Sequence, residues 1–262
     1  MSLSRRALVE PTSRLAVWSL RVVLVGCACA AVAVLAARSD WLDGAQAVTA
    51  LTIGLGVVAL GMAMALAAGT TIWFTGYRGA RFAALAVLVG LAVSAYPATL
   101  TAIGWTLPAI TDITTDPMDP SAFEVVAAVR PAGANPLRYP AALAPVQRRL
   151  YPEIRAIEVD LPASDVNDIV TELIDNQRWR ILDQADYRGP GRDGRFEMVT
   201  RSLILGLRDD IVIRIRHVNG RSRIDMRSAA RYGAQDFGVN ARRVIAALDE
   251  MRTAARRVQR ER

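Results

Sequence analysis

The chain has 262 residues, 52% of them hydrophobic and 22% charged, with a formal net charge of +7; all 32 basic residues are arginine. This composition excludes a disordered chain, a collagen-like repeat and a disulfide-stapled scaffold. The apolar fraction exceeds that of an ordinary soluble domain, so the average joins two unlike parts.

The first part is uncharged over long stretches. Neither Gly44–Tyr77 nor Phe82–Thr111 holds a charged residue, and each exceeds the roughly 20 residues that cross a bilayer core. Leu15–Ala37 is a third such stretch, broken only by Arg21, whose guanidinium can snorkel to a headgroup layer. These predict transmembrane helices near 15–37, 47–70 and 82–107, within a membrane anchor of residues 1–111. Arg5, Arg6 and Arg14 precede the first span, and Arg78 and Arg81 fill the second loop without an acid. Asp40 and Asp43 outnumber Arg38 in the first loop, and Asp112, Asp116 and Asp119 follow the third span. The positive-inside rule therefore predicts a cytoplasmic N-terminus and a C-terminal domain outside, in the periplasm of a bacterial inner-membrane protein.

Both cysteines, Cys27 and Cys29, lie in the first span, so no disulfide is expected in the exported part. Leu24-Val25-Gly26-Cys27 looks like a lipoprotein cleavage box and Ser4-Arg5-Arg6 like part of a twin-arginine signal. Arg21 inside the apolar run and the apolar continuation to Ala37 speak against the first, and the arginine pair reads more simply as a topology flank. Gly61, Ala65 and Gly69, and then Ala86, Gly90, Ser94 and Ala98, recur at four-residue spacing and predict close helix contacts, in a bundle or a homo-oligomer. Pro97 predicts a kink in the third span. No acid or histidine lies within a span, which argues against an ion-coupled transporter.

Eight of the 12 prolines fall between Pro117 and Pro162. Residues 112–155 therefore read as a Pro-rich connector, packed along the following domain through Phe123, Val125 and Val126. Residues 156–262 form an α+β domain with a basic C-terminal tail. Ile157–Leu161 alternates as a strand, and Ser164 is the predicted cap of a helix that buries Val166, Ile169, Val170, Leu173 and Ile174. Strands follow over 179–187, 196–205 and 210–218, the first two joined by the loop Gly189–Gly194. Asn219-Gly220 predicts a two-residue hairpin turn into a strand over 222–231. A last helix starts near Asp236, with Phe237, Ala241, Val244, Leu248 and Met251 on one stripe, and ends in a tail expected to fray. The fold class is thus an α-helical membrane anchor of three helices followed by a two-layer α+β domain, an antiparallel sheet in the order β-α-β-β-β-β-α.

The hairpin sets a register. Ile215 faces Ile224 and Ile213 faces Met226 on the core side. On the other face, expected to be open, Arg214 opposes Asp225 and Arg216 opposes Arg223, while Asp210 has Arg227 and Arg231 on its diagonals. The open face therefore concentrates arginine in the set Asp210, Arg214, Arg216, Arg223, Asp225, Arg227 and Arg231.

Asp209-Asp210, then Met226-Arg227-Ser228-Ala229-Ala230-Arg231-Tyr232-Gly233, then Asp236-Phe237-Gly238-Val239-Asn240 with Arg242-Arg243, resemble the signature of the bacterial and plastid domain-of-unknown-function family 1499. The resemblance covers about residues 112–255, with its specific part at 209–243. Many members carry a cysteine near the start of the domain, where this chain has Asp112-Ile113-Thr114-Thr115-Asp116-Pro117, so no cysteine role transfers. The resemblance implies a membrane-associated cell-envelope protein and no reaction.

Three readings of these residues stand side by side. In the structural one, Asp210 anchors Arg227 and Arg231, Asp236 caps the last helix, and Gly238, Asn240 and Arg243 shape its start. In the second, the arginine face receives an anionic lipid, a glycan phosphate or an acidic protein partner. In the third, an enzyme acts on an envelope molecule with Asp210 as base and Arg227 as electrostatic stabiliser, although no Ser/His/Asp set accompanies them. His217, the single histidine, reads as a packing residue, and no cofactor or metal site is expected. Asp112, Asp116 and Asp119 miss the spacing of a calcium loop, and the Gly189–Gly194 loop is followed by no helix that would cradle a phosphate. Nucleic acid is excluded as a partner despite a pI near 10.2, because residues 112–241 hold 18 Arg against 19 acids. The expectation is an envelope binding or scaffold module without catalysis of its own.

Overall fold

The computed structural model describes residues 10–187, 193–218 and 220–262. The Arg5-Arg6 pair, Gly189 to Arg192 of the glycine-rich loop, and Asn219 of the hairpin turn lie outside the described residues. The chain divides into two compact units, one ending at Ala102 and the other starting at Ile103.

The first unit is built from helices long and apolar enough to cross a membrane: α1 (Arg14–Arg38), α2 (Gly44–Thr75) and α3 (Ala80–Thr106). α1 and α2 extend past their predicted spans at both ends, with caps in the flanking residues, while α3 starts two residues earlier than predicted and ends one earlier. Ser13 accepts from the Ala16 N–H to start α1, and Asp43 with Gln46 forms a capping box on α2. α1 and α2 meet through glycine: a methyl group at Gly26, Gly54 or Gly61 would stand 2.7–2.8 Å from a backbone nitrogen of the facing helix. The predicted small-residue stripes pack only in part. Gly61 and Ala65 are buried, but Gly69 faces open space, and on α3 Ala86 and Gly90 are buried where Ala98 is exposed.

The second unit is a six-stranded antiparallel sheet: β1 (Asp112–Thr114), β2 (Ile157–Val159), β3 (Arg180–Ala185), β4 (Gly194–Arg201), β5 (Arg208–Val218) and β6 (Arg221–Ala230). The spatial order is β1-β6-β5-β4-β3, and β2 pairs with the other end of β6. With α6 (Ala163–Gln177) and α7 (Val239–Glu261), the chain from β2 onward runs β-α-β-β-β-β-α as expected. Strand β1 was not foreseen. Three residues carry no period, and this edge strand is held by side-chain amide bonds as well as by β6. The β5–β6 register is the predicted one throughout, from Val218 opposite Arg221 to Asp210 opposite Ala229.

Several boundaries moved for local reasons. Strand β4 ends at Arg201 rather than Leu205, because the Ser202 and Leu207 backbones close a turn through Gly206, which has φ 66°. Helix α6 begins at Ala163, with Pro162 at the cap position, and the Ser164 hydroxyl donates to Asp165 instead of capping. Helix α7 begins at Val239, leaving Phe237 outside it at φ 53°. Helix α7 continues through the basic tail to Glu261, with Arg257 paired to Glu172 and Arg262 next to Asp165.

One face of the sheet buries Ile211, Ile213, Ile215, Ile224 and Met226 beneath the apolar stripes of α6 and α7. The other face is not open. The segment between β1 and β2, with short helices α4 (Val125–Val129) and α5 (Ala144–Leu150), lies over it, and Phe123 and Val126 pack on Val212 and Ala229.

Candidate functional site

Side chains of β4, β5 and β6 alternate between the two faces, so Glu197, Asp210, Arg214, Arg216, Arg223, Asp225 and Arg227 all turn toward the covering segment. The segment answers them one by one. The predicted cluster is therefore divided into separate ionic sets, and the arginines find carboxylates that the sequence reading had left in the connector.

The first set surrounds Asp225, which is fully buried. Arg216 Nη2 donates to its Oδ2 at 2.7 Å, Arg223 Nη2 to its Oδ1 at 3.1 Å, and Arg214 Nη2 to its Oδ2 at 3.5 Å. Opposed arginines at 216 and 223 are tolerable because carboxylates stand between and around them. Asp119 accepts from Arg214 at 3.0 Å and Arg216 at 2.7 Å, and Asp116 accepts from Arg223 at 2.7 Å. Three arginines thus meet three aspartates. Partial burial pushes Asp119 upward, but hydrogen bonds and charge from Arg214 and Arg216 outweigh it and hold its carboxyl below the ordinary 3.8. Asp225 anchors Arg216 and Arg223 in turn, holding both guanidiniums above their ordinary value despite burial.

The second set is Arg227 with Asp112. Nε and Nη2 of Arg227 donate to the two carboxylate oxygens at 3.0 and 2.7 Å, a bidentate pair in which both side chains are almost wholly buried. The guanidinium also donates to the carbonyls of Ser121 and Leu137 and lies 4.7 Å from the centre of the Phe123 ring. Burial still pushes Asp112 above 3.8, against the pull of Arg227. The same burial, with the Asp112 charge beside it, pushes the Tyr139 hydroxyl up to about 12.

Asp210 belongs to a third set. Its Oδ1 accepts from Nε and Nη2 of Arg231 at 2.8 and 2.6 Å, and its Oδ2 from Arg130 Nε at 2.7 Å. The expected diagonal from Asp210 to Arg227 is therefore not made; Arg130, in the covering segment, takes its place. A fourth carboxylate, Glu197, accepts from the N–H groups of Glu124, Val125 and Val126 and so fixes the start of α4. Gln147 of α5 completes the cover. Its amide accepts from the Thr114 N–H at 3.1 Å and donates to the Thr114 carbonyl at 2.7 Å, acting as one more strand residue on the edge of β1.

The helix-start residues form a polar group on the opposite face. Asp236 accepts from the N–H of Gly238 at 2.9 Å and of Asn240 at 2.8 Å, and Gly238 takes φ 72° at the start of α7. Ser228 donates to Asn240 Oδ1, and Arg243 bridges Ser228 to Asp209 at 2.9 and 2.7 Å. Burial raises both Asp209 and Asp236 above 3.8, the first against Arg243 and the second against its backbone donors.

Sequence reasoning missed Asp112, Asp116, Asp119, Arg130, Glu197 and Gln147 as partners. The available signal was the charge imbalance of the sheet face, which called for carboxylates that the strands themselves lack. His217 is exposed beside Tyr187, their ring centres 6.3 Å apart. Among the described residues no group of three His, Cys, Asp or Glu is placed to hold a metal ion.

A family model described as a protein of unknown function (DUF1499) matches residues 112–251, more than half of the chain and the whole of the sheet. No curated protein matches the chain.

Proposed function

The chain belongs to the DUF1499 family of proteins of unknown function, and from that premise we propose that it is a membrane-anchored binding or scaffold module without catalysis of its own. Residues 1–111 are the anchor, 112–155 the covering connector and 156–262 the presented domain. The arginine distribution around the spans supports a cytoplasmic N-terminus and a domain outside the inner membrane, in the periplasm of a cell envelope. Exposed Trp41, in the loop between α1 and α2, and Trp73 and Trp105, near the ends of α2 and α3, are of the kind found at membrane interfaces.

The observation that carries the non-catalytic reading is the state of the signature charges. Asp210 is 0% exposed and Arg227 2% exposed, and each is held in its own ion pair, with different partners. A general base must reach a substrate proton, and both groups are closed off from solvent. The ligand class we favour, an anionic lipid, a glycan or an acidic partner, rests on exposed arginines outside the covered face, such as Arg178, Arg180 and Arg221, since the planar guanidinium fork recognises carboxylates and phosphates.

Two fusions test the topology. Alkaline phosphatase attached after Arg262 is expected to be active and attached at Arg78 inactive; the reverse pattern overturns the orientation. Turnover of an envelope extract by the purified full chain, abolished in D210N, would replace the binding reading by a catalytic one.

A further inference from the structure

The two ends of the sheet are closed by sequences of opposite character. Between β5 and β6 stands Asn219-Gly220, and between β3 and β4 the chain reads Gly189-Pro190-Gly191-Arg192-Asp193, the polar and glycine-rich composition usual for turns. At the other end, β4 passes into β5 through Ser202-Leu203-Ile204-Leu205-Gly206-Leu207, where only Ser202 and Gly206 are usual turn residues. None of its four apolar residues is buried, and Leu203 is 83% exposed. Hydrogen bonds within the turn close it. The Ser202 N–H donates to the Leu207 carbonyl at 2.8 Å, the Gly206 N–H to the Ser202 carbonyl at 3.1 Å, and the Leu207 N–H to the Ser202 hydroxyl at 2.9 Å. Clustered exposed apolar side chains mark a surface that meets a protein or a membrane.

The path of the chain favours the membrane. The second unit begins at Ile103, so the last turn of α3 belongs to the same compact body as the sheet. The loop after β6 grips that turn. Gln235 Nε2 donates to the carbonyls of Gly104 and Leu107 at 3.0 and 2.8 Å, groups of the kind that a helix end leaves without an intrahelical partner. Phe237 lies so close that a methyl group at Gly104 would stand 2.9 Å from its ring. The Asp236 N–H donates to the Ile110 carbonyl at 3.1 Å, and the Ala230 N–H to the Thr111 carbonyl at 2.8 Å. Ala230 is the last residue of β6 and pairs with Asp209, near the start of β5. The end of α3 and the β4–β5 turn therefore share one end of the sheet. Trp105, 87% exposed and one residue before α3 stops, stands where a span carries its headgroup-level anchor.

We propose that the β4–β5 turn is a second point of membrane contact, seating Leu203, Ile204 and Leu205 in the headgroup layer of the bilayer face from which α3 emerges. Apolar side chains gain by leaving water there, and a turn that satisfies backbone groups internally enters a poorly hydrated layer at less cost. The sheet is then held by one end at the lipid surface, and its polar end, with Arg221, is presented away from it. The proposal rests on the membrane anchor described above and is independent of the side on which the domain lies.

The test is fluorescence of the full chain carrying C27A/C29A, reconstituted in vesicles of phosphatidylethanolamine and phosphatidylglycerol with or without bromine on the acyl chains. A polarity-sensitive label is attached in turn through Leu203→Cys, Leu205→Cys, Arg221→Cys and Met118→Cys. At positions 203 and 205 the emission is expected to shift to shorter wavelength and to lose intensity in the brominated vesicles. Neither change is expected at 221, in the opposite hairpin, or at 118, where Met118 of the covering segment is as exposed as Leu203, at 82%. The two turn positions keep the test open should one variant fail to fold. The proposal is overturned by labels at 203 and 205 that emit as in water, or by equal quenching at 221. It is overturned as well by a shift at 203 and 205 without quenching, which means that protein rather than lipid covers the turn. Unquenched labels in a chain that stays with the vesicles through alkaline extraction remove the turn contact and keep the anchor. A chain released by that extraction removes both.

Discussion

The two faces of the sheet are equally hidden from water and are built on opposite principles. Under α6 and α7 most of the contact is isoleucine, methionine and valine, with one polar set, Asp209, Ser228, Asn240 and Arg243, near the start of α7; over the apolar part, apolar side chains of similar volume substitute at small cost. Under the covering segment lie Glu197, Asp210, Asp225, Arg227 and Arg231, each with named partners. An apolar face is held by area; an ionic face is held by matching, and a single missing partner leaves a charge buried without compensation. The irregular, proline-rich segment can therefore occupy one conformation without much secondary structure of its own, because the sheet dictates where its carboxylates and N–H groups go.

The largest effect should come from breaking one match. R227A leaves Asp112 buried and unpaired, and should lower stability by about 3–5 kcal/mol in a denaturant titration of the full chain. The double variant D112N/R227M should fall by clearly less than the two single changes combined, since neither charge then remains. Additive losses would show that the pair is not coupled. Next comes Q147A, which removes both amide bonds to Thr114 on the edge of β1 and should cost about 2 kcal/mol. Hydrogen exchange at Ile113 and Thr115 should accelerate in Q147A; unchanged protection there would mean that β6 alone holds β1. On the apolar face, I213V removes one methylene from a fully buried side chain and should cost about 0.5–1.5 kcal/mol. A loss as large as that of R227A would erase the contrast between the faces.

How much of this was legible in sequence follows the same division. Strands β5 and β6 alternate cleanly and are joined at Asn219-Gly220, so their register and the side to which Arg214, Asp225 and Arg227 point could be read directly. What covers that side could not. Asp112 and Arg227 are 115 positions apart, and a segment with seven prolines carries no period from which its path could be deduced. The error was to read a charged face as an exposed one. Burial of charge depends on partners rather than on residue type, and those partners sat in a stretch that matched no motif. The helix start at Asp236 failed by three residues for a milder reason: its side chain caps from a distance, through Gly238 and Asn240, while the backbone turns at Phe237.

The smallest change tests the same burial from the alkaline side. Tyr139 donates to Gln147 Oε1 at 3.2 Å and is pushed up to about 12 by burial and by the charge of Asp112. In the unfolded chain its hydroxyl titrates near the ordinary 10.0. Between these values the folded protein keeps a proton that the unfolded chain releases, so rising pH favours unfolding. The stability contributed by Tyr139 is therefore complete below pH 10 and is lost as pH rises through about 12. At neutral pH, Y139F should cost about 0.5–1.5 kcal/mol for the lost hydrogen bond. Above pH 10 the wild type should weaken faster than Y139F, and their denaturation midpoints should converge. Midpoints that stay parallel across that range would mean that Tyr139 reaches water, and that the cover over the ionic face opens in solution.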